Sequence, residues 1–305
     1  MLFLGRPCVL PNLFLLVISL FVGLVSCTFV IRNNCPYTIW PGTLAGAGTP
    51  QLSTTGFQLD SGQSARVVST PGWSGRIWAR TGCKFNAFGV GMCETGDCGG
   101  RLQCDGFGAA PPTSLFEVTL GQGDGKDFYD VSMVDGYNLP MLAAPRGVHG
   151  ECNATGCASD LNQGCPKELQ VVGGDGIKGV VACKSACEAF ALDQYCCSGQ
   201  FANPTTCQPS YYSTIFKRAC PKSYSYAFDD GTSTFTCKAT EYAIIFCPRS
   251  NRMTNETTLP IQEYNRGSQA LTSSRSPIRH VPITITINIL ILTIYRVYVN
   301  ELATR

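Results

Sequence analysis

The chain has 305 residues, a formal net charge of +2 and only 14% charged residues, with no basic run to meet a polyanion, so nothing in its charge supports nucleic-acid binding. It holds two histidines but eighteen cysteines, which argues against a Ser-His-Asp triad or a histidine-built zinc site. Sixteen of the cysteines fall between Cys35 and Cys247, an even set that reads as a dense disulfide framework of an extracellular protein, with no metal and no cofactor expected.

Arg6 followed by the apolar stretch Leu13 to Val25 has the make-up of a signal peptide, and Val25-Ser26-Cys27 suits a peptidase, so residues 1–27 are read as a leader cleaved after Cys27. The stretch is short for a membrane anchor. From Thr28 to Cys247 there are fifteen Lys and Arg against eighteen Asp and Glu, a mildly acidic body.

Short runs punctuated by Gly, Pro, Asn and Asp follow: Thr28–Ile31, Tyr37–Trp40 stopped by Pro41-Gly42, Phe57–Leu59 and Ala65–Val68 around the turn Asp60-Ser61-Gly62, then Gly75–Arg80. Such runs predict antiparallel strands of a sandwich or barrel. Residues 81–112 are rich in Gly and Cys with little to bury and predict a small cross-linked lobe. Strands return at Leu115–Leu120, Phe128–Val134, near Cys237 and at Tyr242–Phe246. Cys152 to Cys220 is a second cysteine-dense section, in which Ser185-Ala186-Cys187-Glu188 matches a capping box and predicts a helix through Leu192. Residues 249–305 carry no cysteine and end in an apolar run, Val281 to Tyr295. That tail is either a disordered extension or a lipid-anchor signal with Gly267-Ser268 as its cleavage site.

The segment Gly89 to Cys104, GVGMCETGDCGGRLQC, packs three cysteines into twelve residues among glycines that permit positive φ. Its spacing resembles the signature of the thaumatin-like family, the plant pathogenesis-related group five with osmotin, zeamatin and thaumatin. The runs IRNNCPYTIWP, GRIWARTGCKFN, CPKELQV, QYCCSGQ and SYAFDDGTSTFTC…IIFCP extend the resemblance over Thr28 to Pro248. It implies a mainly β fold, an antiparallel β-sandwich core (28–80, 113–158, 222–248) with two disulfide-rich lobes, one small (81–112) and one larger (159–221) with a short helix.

Sixteen cysteines allow on the order of two million pairings, and the residues alone do not choose among them. The resemblance implies Cys35–Cys247, Cys83–Cys93, Cys98–Cys104, Cys152–Cys237, Cys157–Cys220, Cys165–Cys183, Cys187–Cys196 and Cys197–Cys207. It also implies a cleft between sandwich and larger lobe lined by Arg76, Glu117, Asp130, Asp135 and Asp229. Asp130 and Asp135 would face opposite ways on one continuous strand, so a bulge or turn at Val134–Gly136 is required if both line one cleft. Phe128, Tyr129 and Tyr137 are candidates to stack on sugar rings. A purely structural reading of the same set is an ion pair between Arg76 and an Asp that braces the lobes.

On this resemblance the chain is a secreted monomeric defence protein of the extracellular space or cell wall, antifungal, with β-1,3-glucan of fungal walls, and the fungal membrane, as partners and no nucleic acid. The alternatives are an endo-β-1,3-glucanase, with Glu117 as general acid and Asp130 as second carboxylate, and an inhibitor of microbial enzymes. Asn153-Ala154-Thr155 and Asn255-Glu256-Thr257 are glycosylation sequons, expected to act through Asn153 and Asn255. The residues Trp40, Trp73 and Trp78 are read as core or cleft wall.

Overall fold

The computed structural model describes residues 26–147, 152–174 and 179–248. The leader core, Asn255, the sites Gly267 and Ser268 and the apolar run from Val281 lie outside the described residues.

Fourteen strands form two five-stranded sheets and two ribbons among the described residues. The first sheet holds β1 (Thr28–Asn33), β3 (Ser64–Val68), β9 (Met141–Arg146), β10 (Thr155–Cys157) and β14 (Glu241–Phe246), in the order β10-β9-β14-β1-β3. The second holds β2 (Trp40–Ala45), β4 (Ser74–Arg80), β7 (Leu115–Thr119), β8 (Asp127–Ser132) and β13 (Phe235–Cys237), in the order β13-β8-β7-β4-β2. The ribbons are β5 (Lys84–Phe85) with β6 (Gly91–Met92) in the small lobe, and β11 (Gln170–Val172) with β12 (Val180–Cys183) in the larger one.

Alternation puts one face of each sheet inward. Phe29 and Ile31, Tyr242, Ile244 and Phe246, and Met141 and Ala143 meet Ile77, Phe116, Val118, Tyr129 and Val131, all buried. Trp73, just ahead of β4, stands against Phe29 with ring centroids 5.3 Å apart, and Tyr129 against Tyr242 at 5.1 Å. Asp127 also points inward, where Tyr242 Oη donates to its Oδ2 at 3.0 Å and the Gly121 amide to its Oδ1 at 2.9 Å. Such a buried carboxylate persists because its acceptors are filled.

Every pair of neighbouring strands is antiparallel except β1 and β14, which run parallel. Their C-terminal ends therefore lie side by side. Cys35 and Cys247, which follow those ends, bond with Cα atoms 4.9 Å apart. All eight pairs implied above are bonded in the structure.

Several local expectations give way. The pair Pro41-Gly42 does not stop a strand but lies inside β2, an edge strand where a missing N–H is tolerated. Glycine is needed there because a Cβ on Gly42 would sit 2.6 Å from the Trp78 ring. Phe57–Leu59 makes only an isolated bridge, Ile39 to Leu59. The strand β9 was not predicted, since Pro140 and Pro145 flank and interrupt it. Pro145 is tolerated because β10 pairs only with Met141 to Ala143.

The larger lobe carries α1 (Ala186–Phe190), α2 (Asp193–Cys196) and α3 (Tyr211–Ala219). In α1 only half of the capping box forms. The Glu188 amide donates to Ser185 Oγ at 3.2 Å, while Glu188 Oε2 is buried without a partner. This helix ends at Phe190, before the predicted Leu192, because Ala191 turns left-handed at φ 51°. The longest helix, α3, is capped by Ser210 and was not predicted. A small core of Met133, Tyr137, Leu161, Leu169 and Phe216 lies among the cystines. A single short turn, α4 (Asp230–Ser233), precedes β13.

Candidate functional site

Three neighbouring strands of the second sheet set the centre of the site. Register places Arg76 of β4 opposite Glu117 of β7, and Glu117 opposite Asp130 of β8. The odd residues of β8, Asp127, Tyr129 and Val131, enter the core, so Phe128, Asp130 and Ser132 take the outer face. Arg76 Nε lies 2.7 Å from Glu117 Oε1. The chain then turns. The Gly136 amide donates to the Met133 carbonyl at 3.0 Å, with Gly136 at φ +84°, where a Cβ would meet Pro112 at 2.5 Å. This turn carries Asp135 to the cleft that Arg76, Glu117 and Asp130 line, together with Ser132, Val134, Tyr224, Ala227 and Asp230. The cleft has a volume of about 350 Å³.

Four of the five expected ionisable residues thus meet. The fifth does not: Asp229 Oδ2 accepts from the Ser225 amide and hydroxyl, both at 2.9 Å, and lies 3.0 Å from Lys217 Nζ. Its neighbour Asp230 lines the cleft instead, accepting from Tyr224 Oη at 2.7 Å; Tyr224 also bonds Thr234. Nothing in the doublet Asp229-Asp230 distinguishes the two, whose directions follow from the backbone at the start of α4. Tyr224 was missed for want of any local pattern.

The aromatic candidates separate as well. Tyr129 is in the sandwich core and donates to the Asn153 carbonyl at 2.6 Å. Tyr137 is in the core of the larger lobe and donates to the Ser159 carbonyl at 2.9 Å. Neither ring can stack on a ligand. Phe128 is 56% exposed and lies on the outer face in the row next to Asp130, opposite Thr119. The ion pair of Arg76 is with Glu117, a residue of the same sheet, so it braces strands and not lobes.

Burial, reinforced by the nearby charges of Glu117 and Asp230 and opposed by Arg76, pushes the Asp130 carboxyl up to about 8. Its Oδ1 is buried and receives no hydrogen bond. Burial likewise raises Glu188 to about 7, against the pull of Lys184 and with Asp135 adding to the rise. At neutral pH the cleft therefore offers both a proton-bearing acid and carboxylates, which can donate to and accept from hydroxyl groups.

The model of the Thaumatin family matches residues 33–248. A relative from Arabidopsis thaliana, "Pathogenesis-related protein 5", is 55% identical over 77% of this chain and 96% of its own length. The chain belongs to the thaumatin family. Within that family it is also 51% identical to "Thaumatin-like protein 1" of Pyrus pyrifolia, over 78% of this chain and 98% of the relative. It is 50% identical to a Prunus avium protein named "Glucan endo-1,3-beta-glucosidase", over 76% and 95%. A solved thaumatin-like xylanase inhibitor is similar at 24% identity over 72% of this chain and 99% of that one, with a TM-score of 0.40.

In this thaumatin-family chain the small lobe is tied to the sheet by a residue that sequence reasoning passed over. Arg80 is fully buried, and its guanidinium donates to the carbonyls of Trp40, Pro41, Arg101 and Leu102 at 2.7–3.2 Å. Burial lowers it to about 10, with Asp97 opposing. Five donors in a planar fork suit four carbonyls from two segments. Asn153 is exposed, as a glycosylation acceptor must be. Among the described residues no helix is long and apolar enough to cross a membrane, and no group of His, Cys, Asp and Glu is arranged to hold a metal ion.

Proposed function

We propose that the protein is a secreted plant defence protein that binds β-1,3-glucan of fungal walls through the acidic cleft. The observation that carries this reading is the strand register that sets Arg76, Glu117 and Asp130 in one row facing Asp135 and Asp230. Carboxylates accept hydrogen bonds from sugar hydroxyls, protonated Asp130 donates one, and exposed Phe128 offers a ring beside them. The names of the relatives, pathogenesis-related and glucanase, support both the role and the substrate class.

Hydrolysis is the second reading, favoured by the raised pKa of Asp130 next to ion-paired Glu117. Asp130, and not Glu117, would then be the proton donor, with Glu117 as the second carboxylate. Directly opposed residues of an antiparallel pair have Cβ atoms about 4.5–5.5 Å apart. That lies nearer the carboxyl separation of about 5–5.5 Å used by retaining glycosidases than the about 6.5–9.5 Å of inverting ones.

One experiment tests both. The purified protein, Glu117→Gln and Asp130→Asn are incubated with laminarin, and bound glucan and new reducing ends are measured. Binding weakened in both variants with no reducing ends supports a binding protein. Reducing ends from the wild type, lost in Asp130→Asn, support the enzyme. Unchanged binding in both variants overturns the cleft.

A further inference from the structure

A larger groove shares no residue with the acidic cleft. It lies where β2 begins and β4 ends, has a volume of about 720 Å³ against 350 Å³, and draws its walls from the sandwich, the small lobe and the larger lobe. Tyr37, Trp40, Glu94, Asp160 and Asn162 line it.

The groove is held rigidly. Asn33 Nδ2 donates to the Tyr37 carbonyl and Arg80 Nε to the Trp40 carbonyl, both at 2.9 Å. Asn162 Nδ2 donates to the carbonyls of Asn138 and Val181, at 2.9 and 3.1 Å. Its side groups, by contrast, keep free capacity. Trp73 and Trp78 each donate their ring N–H to a backbone carbonyl, at 3.1 and 2.9 Å. Trp40, half-buried, has no such partner among the described residues. Buried Tyr129, Tyr137 and Tyr242 each donate their hydroxyl, whereas Tyr37, 47% exposed, bonds nothing among the described residues through its own. Asn162 Oδ1 is buried without a partner. Glu94 accepts the Gly174 amide on Oε1 alone. Asp160 is close enough to Tyr37 for its charge to raise the tyrosine hydroxyl, after the larger effect of burial.

Two aromatic faces with unpartnered donors at their tips, ringed by carboxylate and amide acceptors, match an amphipathic ring whose faces are apolar and whose rim carries hydroxyls. Neither phosphate nor a cationic headgroup fits: acidic groups line the wall against the first, and the second would leave the Trp40 N–H without an acceptor. We infer that this groove is a second binding site for a neutral pyranose, so that one molecule can hold a glucan at two places. The inference rests on the proposed function only for the choice of β-1,3-glucan as probe.

The test is calorimetric titration of the full secreted protein with a six-sugar β-1,3-glucan oligomer, beside Tyr37→Ala, Trp40→Phe and Glu117→Gln, each first shown by thermal unfolding to be folded. The wild type is expected to take two oligomers. Tyr37→Ala should weaken one event about tenfold, which corresponds to about 1.4 kcal/mol, and Trp40→Phe should weaken the same event less. Glu117→Gln should leave that event unchanged. Wild-type binding in both Tyr37→Ala and Trp40→Phe overturns the groove. A single event abolished by Glu117→Gln also overturns it and leaves the acidic cleft standing. A single event abolished by Tyr37→Ala and kept by Glu117→Gln supports the groove and overturns the cleft. No binding by the wild type overturns both.

Discussion

The sandwich and the larger cysteine-rich lobe hold together by different means. The sandwich buries Phe29, Trp73, Phe116, Tyr129 and Tyr242 between two sheets and is tied mainly at its ends, through Cys35–Cys247. The lobe has few large apolar residues and short helices, and it relies on local bridges, Cys165–Cys183, Cys187–Cys196 and Cys197–Cys207, with sequence separations of 18, 9 and 10. The acidic cleft, whose lining residues all belong to the sandwich segments, shows a similar contrast between regular ladder and tied loop. Arg76, Glu117 and Asp130 stand on a hydrogen-bonded ladder that repeats from row to row. Asp135 and Asp230 stand on a turn and at the start of a four-residue helix, where only tertiary contacts set their direction. A ladder positions side chains through its period; a loop does so only through what it is tied to.

The largest effect should come from the bond that joins the two ends of the sandwich. Replacing Cys35 and Cys247 by Ala frees a loop of 212 residues and should cost about 5 kcal/mol by the loop-entropy argument, read as a lower denaturant midpoint. A loss near zero would show that the β1–β14 pairing alone closes the sandwich. Next, Phe116→Ala, which opens the aromatic core, should cost about 3–5 kcal/mol. Removing Cys197–Cys207, by contrast, should cost about 3 kcal/mol by loop length. Should the lobe bridge cost more than Phe116, cross-links and not burial would dominate both regions.

The fourth effect is pH-dependent. Asp130 is raised in the folded protein to about 8 from an ordinary value of 3.8, so the folded state holds its proton more tightly than the unfolded chain. Its contribution is fully present below pH 3.8 and is lost as pH rises through 8. The melting temperature should therefore fall between those limits, and Asp130→Asn should flatten that fall. Glu188, raised from 4.5 to about 7, adds a slope of the same sign within the window. An unchanged profile in Asp130→Asn would mean that its carboxyl ionises freely in the cleft. The smallest effect is in the lobe: Ser185→Ala removes the cap of α1 and should cost about 1 kcal/mol in thermal unfolding.

Some strands were readable because alternation survives where one face is buried, as in Thr28–Ile31, and Tyr242–Phe246 was readable as a short apolar run buried throughout. The turn demanded by the odd spacing of Asp130 and Asp135 was also readable, and Gly136 makes it. The strand containing Pro41-Gly42 was not. A Pro-Gly pair signals a turn locally, and only the edge position of β2 and the Trp78 ring above Gly42 explain its place in a strand. The helix α3 carried a usable signal that went unread: Ser210 as cap, then Tyr212, Ile215, Phe216 and Ala219 recurring at helical spacing. Tyr129 and Tyr137 were open to misassignment because an aromatic residue suits a core and a sugar site equally.

What the chain's residues determine by themselves are quantities of short range: the strand period, the turn glycines, the cap at Ser185, and enough cysteines to cross-link a secreted domain. Motif spacing adds the family and, through it, the bridges. The tertiary structure alone decided that Asp230 and not Asp229 enters the cleft, that Asp130 keeps its proton near neutrality, and that Tyr37 and Trp40 retain free polar tips. Each of these depends on desolvation or on a partner far away in the chain, and such energies exist only once distant segments have packed together.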